Sequence, residues 1–438
     1  MTRSMTHLLV LAVLASASAT NAADVAVTRA AIDRGLDSQY AHIEALYKDI
    51  HSHPELGFQE THTAALLAGE MRKLGFDVTE HVGKTGIVAI LKNGPGPLVM
   101  LRTELDALPM LEKTGLPYAS TATQMYKGAE SPVAHSCGHD IHMAVWAAVA
   151  KTMVDMKDQW SGTLMFVGQP AAEGDGGAKA MLADGLFTRF GKPDMGFALH
   201  VNSGPFGTVS YKPGVINSTS DGLTIVFKGT GGHGSRPHVT IDPVMMAAHF
   251  IVDVQSVISR EKDASKFGVV TIGAVQAGNA GNVIPDTALL RGTIRSWDND
   301  TRAKMLTGVE RTAKGVAMMA GAPEPDIKIS AGGKAVVNDA TLSAREGAVL
   351  KTAFGDKARL LPEPHSASED YSEFVVAGVP SFYISLGGLD PQFLAKAAET
   401  HTPVPINLSP EFAPVPEPSI RTGTTAMSLM LLDVLQKK

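Results

Sequence analysis

The chain has a single cysteine, Cys137, among 438 residues. Without a second thiol, no internal disulfide framework can form. It has no run of lysine and arginine, and its formal net charge is −6. That balance provides no electrostatic footprint for nucleic acid, which is excluded as a partner. Beyond the first two dozen residues no apolar run is long enough to cross a bilayer, so no membrane partner is expected once that stretch is removed. Internal repeats and low-complexity tracts are absent as well. The remaining composition, 44% hydrophobic and 19% charged, is that of a folded globular protein. The length is generous for one domain and comfortable for two.

Residues 1–23 read as a secretory signal. Arg3 supplies the positive charge, residues 8–15 form a short apolar core, and residues 16–22 are small, with cleavage after Ala19 or Ala22. The expected destination is periplasmic or secreted. A lone thiol exported to an oxidising compartment needs protection, and metal ligation is one way to provide it.

The densest chemistry lies in His135-Ser136-Cys137-Gly138-His139-Asp140-Ile141-His142. Thiolate and imidazole are good ligands for zinc and other borderline metals. Residues 141–156 read as an Ala-rich buried helix, and Gly138 interrupts any helix before it. Cys137 and His139 then fall in the entering loop, near the positive helix end, where a thiolate is favoured. A structural thiol among scattered histidines remains an open alternative for this stretch taken alone.

Helical patterns at residues 24–49 and 61–74 precede apolar runs of strand length at 87–91, 98–101, 163–167 and 195–199. This is an α/β pattern with a largely buried sheet. The carboxyl ends of such strands are where sites are built. They deliver Asp106, Glu173 and His200, and the Cys137/His139 loop can join them. Together these residues favour a metal site. From residue 211 to 330 the order becomes βαββαβ, that of a ferredoxin-like split domain. We read residues 211–330 as an insert within a domain formed by 24–210 and 331–438. His401 is expected in a polar loop before a closing helix. Met245, Met246, Met318 and Met319 are expected to pack inside helices.

Taken together, HSCGHD, QPAAEG at residues 169–174, ALH at 198–200, GGHGSRPH at 231–238, GNVIPD at 281–286 and SASEDYS at 366–372 resemble the co-catalytic metallo-amidohydrolases. The branch most resembled holds hippurate hydrolases, N-acyl-amino-acid amidohydrolases and auxin-conjugate hydrolases. The resemblance implies a zinc-exopeptidase-like α/β catalytic domain with a mixed sheet and an inserted ferredoxin-like lid or dimerisation domain. It also implies two divalent ions, zinc or manganese, held by Cys137, His139, Glu173, His200 and His401. Asp106 would orient a ligand histidine. His233 would reach substrate or transition state, in relatives from the other protomer. Asn282 and Arg295 would grip a substrate carboxylate, although Arg295 can equally be an ordinary strand-end charge. The implied substrate is an N-acyl amino acid or small peptide, and a homodimer or higher homo-oligomer is implied for the assembly.

One position departs from the resembled pattern Gln-Pro-Ala-Glu-Glu-Gly. Ala172 stands where the general base would take a proton from the attacking water. Three readings compete: an alanine introduced to trap substrate, a natural enzyme-like binder without turnover, or another group such as Asp175 or water acting as base. The first is preferred, because the rest of the site reads as intact. The rival function is a catalytically silent periplasmic binding protein using the same pocket.

Overall fold

The computed structural model describes residues 22–174 and 176–437. The expected signal lies outside them except for Ala22 and Ala23, which open a helix. Asp175 also lies outside them.

An eight-stranded mixed sheet forms the frame. Its strands run in the order Asp77–Val82, Gly86–Asn93, Gly162–Gln169, Leu98–Glu104, Met195–Pro205, Ser381–Leu389, Val209–Tyr211, Ala358–Leu360. The four from Gly162–Gln169 to Ser381–Leu389 pair in parallel. Alternation of side chains across the pleat gives each strand two faces. Ile87, Val99, Leu101, Phe166 and Leu199 enter one core with the helices Ala22–Ser52, His139–Asp155 and Pro416–Val434. Val88, Met100, Met165, Val167 and Ala198 enter a second core on the opposite face. Both faces are covered, which explains why these strands read as continuous apolar runs.

Residues 221–331 build a separate four-stranded antiparallel sheet in the order Gly268–Gln276, Thr287–Ser296, Asp221–Lys228, Asp326–Ala331. In chain order that is 2-3-1-4, the arrangement of a ferredoxin-like split motif. The helices Pro243–Asp253 and Asn299–Met319 pack on it through Met246, Phe250, Val309 and Val316, forming a core of its own. Asp298 caps the second of these helices by accepting from Thr301 N. The expectation for the methionines holds only for Met246. Met245, Met318 and Met319 are exposed, because they lie on the helix sides away from the sheet.

The helix Ala340–Phe354 carries an unusual burial. Glu346 is fully buried, and neither side-chain oxygen has a hydrogen-bond partner. Burial first, and the Asp433 carboxylate second, hold its pKa well above the usual range. A carboxyl that keeps its proton when folded and releases it when unfolded makes stability fall as pH rises above about 4.5. Glu346→Gln is therefore expected to stabilise the protein by about 1–3 kcal/mol at pH 8 and to have little effect at pH 4. Melting temperatures measured across that range check it; equal shifts at both ends would contradict it.

Candidate metal centre

The strand Leu98–Glu104 runs into Asp106, and Gly162–Gln169 runs into the loop holding Glu173. His200 lies within Met195–Pro205 rather than after it. Cys137 enters from the loop before His139–Asp155, whose N-cap is Gly138 at φ +89°. Only glycine fits there. A Cβ at residue 138 would sit 2.3 Å from a Val201 methyl, besides the strain of the left-handed backbone.

The donors converge. Cys137 Sγ is 3.4 Å from His200 Nε2. His139 Nε2 is 3.7 Å from Glu173 Oε1. Cys137, His139 and Glu173 each offer an atom within 4.8 Å of the other two. Both imidazoles are oriented from behind. His139 Nδ1 donates to the Asp106 carbonyl at 2.8 Å, and His200 Nδ1 donates to the Val201 carbonyl at 2.8 Å. Each ring therefore turns a bare Nε2 toward the cluster, the tautomer a cation needs. Asp106 also accepts from Glu173 N at 2.9 Å through Oδ2, so one residue sets both ligand-bearing segments, His139 through its carbonyl and Glu173 through its carboxylate.

The residues present fit a divalent cation. Asp106 Oδ1 is buried with no hydrogen-bond partner. Burial first, and the Glu173 carboxylate second, push the Cys137 thiol up. Burial also raises Glu173, and it lowers His200 to about 3. A thiol, two imidazoles and a carboxylate crowded together without a counter-charge are costly; a cation reverses that cost. Sulfur and nitrogen favour zinc, and the carboxylate admits manganese.

A second group, Glu104, His139, His142 and His200, has ligand-like spacing but is already spoken for. His142 Nδ1 donates to Glu104 at 2.9 Å, and its Nε2 accepts from Val201 N at 2.8 Å. This ring braces the His200 strand. Behind it, Arg102 bonds Glu104, Gln169, Glu369 and Asp370 in a buried network. The sequence reading missed this network. Its signal was charge inside an apolar strand, Arg102-Thr103-Glu104. Asp140 pins the loop from the other side: His51 donates to it at 2.7 Å and to Glu112 at 3.1 Å. Burial alone would lower His51, but the bonds to these two carboxylates carry it up to about 10. His135 is buried with both ring nitrogens unpartnered, and burial pushes it down to about 4.

Four expected residues lie elsewhere. His401 is exposed and ends the helix Pro391–Thr400 at φ +53°, so the structure does not bring it into the cluster. The unpredicted helix carries it outward. The segment that does touch the cluster is residues 406–409. Asn407 donates to the Cys137 carbonyl at 2.9 Å and the Val201 carbonyl at 3.0 Å. His233 and Asn282 are exposed in the insert, where the two-residue strand Gly232–His233 pairs with Val283–Ile284. His233 Nδ1 bonds the Ser235 hydroxyl at 2.8 Å. Arg295 is half-buried where the insert meets the 366–372 segment, and it donates to Ser368 Oγ. Ala172 is half-buried beside Glu173. Glu60, pushed up to about 7 by burial and then by Asp106, grips Ala171 N at 2.7 Å and so holds that loop.

The family described as Peptidase family M20/M25/M40 matches residues 100–404. A hippurate hydrolase of Campylobacter jejuni is 38% identical over 341 residues, covering 76% of this chain and 84% of that protein. An N-acetyldiaminopimelate deacetylase of Oceanobacillus iheyensis is 38% identical over 304 residues, covering 68% of this chain and 78% of that one. Among solved structures, the Bacillus subtilis YXEP protein, described as a dinuclear metal binding peptidase, is similar with a TM-score of 0.72. Its identity is 26%, over 91% of this chain and 99% of that chain.

Proposed function

The chain belongs to peptidase family M20/M25/M40, a family of hydrolases acting on C–N amide bonds, and on that premise we propose that its parent reaction is metal-dependent hydrolysis of N-acyl amino acids or small peptides. The observation that carries this reading is the convergence of Cys137, His139, Glu173 and His200, with Asp106 behind them, at the carboxyl ends of the parallel strands. Two divalent ions, zinc or manganese, would supply Lewis acidity and a water made acidic enough to attack.

The chain's own residues do the rest. Asp106 keeps His139 and Glu173 in place. Arg295, at the seam between insert and catalytic part, takes the substrate carboxylate, with Asn282 beside the insert's edge. His233 closes from the insert to stabilise the developing oxyanion. In this reading residues 24–210 and 331–438 form the catalytic domain, and 211–330 the lid. The exposed edge strand Gly268–Gln276 supports pairing of two lids in a homodimer, as do Met245 and Val252, exposed on the helix Pro243–Asp253 of the same domain. Export by residues 1–23 completes the reading.

Ala172 favours a second reading, a silent binding protein for the same ligands, because a methyl group cannot accept a proton. An inactive variant of the enzyme gives the same chain. Both readings expect zinc- or manganese-loaded protein to bind N-acetyl or N-benzoyl amino acids, and chelator to abolish the binding. Calorimetry on such a panel checks it. No binding by loaded protein overturns both.

A further inference from the structure

Residues 406–409 are held against the cluster by three hydrogen bonds. Asn407 joins the Cys137 and Val201 carbonyls, and Leu408 N donates to the Ser136 carbonyl at 2.8 Å. Residue 408 is thereby fixed beside the loop bearing the thiol and the strand bearing His200. Its backbone stands at φ +67°, a conformation that costs a leucine strain. The leucine side chain is 52% exposed, so burial does little to offset that strain. Strained backbone beside a functional cluster points to a position shaped for a different task.

The donor count indicates which task. Cys137, His139, Glu173 and His200 are four donors, a complete tetrahedral shell for one ion. Two ions need more, even with a shared carboxylate. His401 does not contribute, being exposed at the end of its helix. We infer that residue 408 is a vacated ligand position, and that the chain holds one divalent ion tightly and a second weakly, for want of a donor there. This rests on the two-ion reading above.

Leu408→His tests it in the full chain. Histidine tolerates a positive φ better than leucine does, so the variant has no added backbone cost. Equilibrium dialysis with zinc, read by elemental analysis, and Co²⁺ absorption spectra give stoichiometry and affinity. The unaltered chain is expected to bind one equivalent at least tenfold more tightly than the second. Leu408→His is expected to tighten the second by tenfold or more. Leu408→Gly, which relieves the strain without adding a donor, and His401→Ala are expected to change neither. Two equally tight equivalents in the unaltered chain would overturn the inference, as would an unmoved second ion in Leu408→His or a second ion tightened in Leu408→Gly. Absence of any tight ion in every variant would instead bring down the metal-centre reading itself.

Discussion

Ala172→Glu, assayed with saturating Zn²⁺ or Mn²⁺, is expected to raise hydrolysis of N-acyl amino acids by about 10²–10⁴-fold over the unaltered chain. The backbone is ready for it. Ala171 is held by Glu60 at 2.7 Å and Glu173 by Asp106 at 2.9 Å, so residue 172 is fixed from both sides. Its side chain is half-buried, next in the chain to Glu173, so a longer one need not enter a closed core. Such a carboxylate can take a proton from water and return it to the leaving amine, which alanine cannot. Steady-state rates on a panel of N-acetyl and N-benzoyl amino acids decide the matter. Binding without turnover in the variant would transfer the assignment to a binding protein and remove the general-base role from residue 172.

Arg102→Met is expected to destabilise the fold by about 3–5 kcal/mol, because it strands buried carboxylates without their cation. The Arg102 side chain is fully buried and holds Glu104, Glu369 and Asp370. Asp370 is already pushed up to about 8 by burial, despite the neighbouring guanidinium. With the guanidinium gone, the carboxylates must bind protons to stay inside. Their folded pKa values rise above the unfolded ones, so the variant's stability should fall as pH increases through the neutral range. Urea unfolding at two pH values measures both effects. A loss below about 1 kcal/mol would mean that water or repacking replaces the charge.

The sequence made most of the metal cluster legible because its donors sit near strand ends or at a glycine-marked helix start, His200 excepted, which lies within its strand. Asp106 and Glu173 follow apolar runs, and Cys137 and His139 flank a glycine that no other residue can replace. The second helix of the insert, Asn299–Met319, is legible at its start, where Asp298 caps it. His401 lies in the loop expected for it, but exposed and apart from the cluster. Asp390 followed by Pro391 is the start signal of the helix Pro391–Thr400, which delivers His401 into that loop. The Arg102 network and the grip of residues 406–409 were harder to see. They depend on contacts 267 and 270 residues apart in the chain, which no local pattern encodes.

The bonds from Asn407 have a consequence for biosynthesis. They tie segments 270 and 206 residues upstream, so the loop and strand bearing the thiol and His200 are stitched together by a stretch that is made long after both. A nascent polypeptide that stops short of residue 407 cannot assemble this pocket in its final form. The final bracing of the pocket is thus deferred until residue 407 has been made.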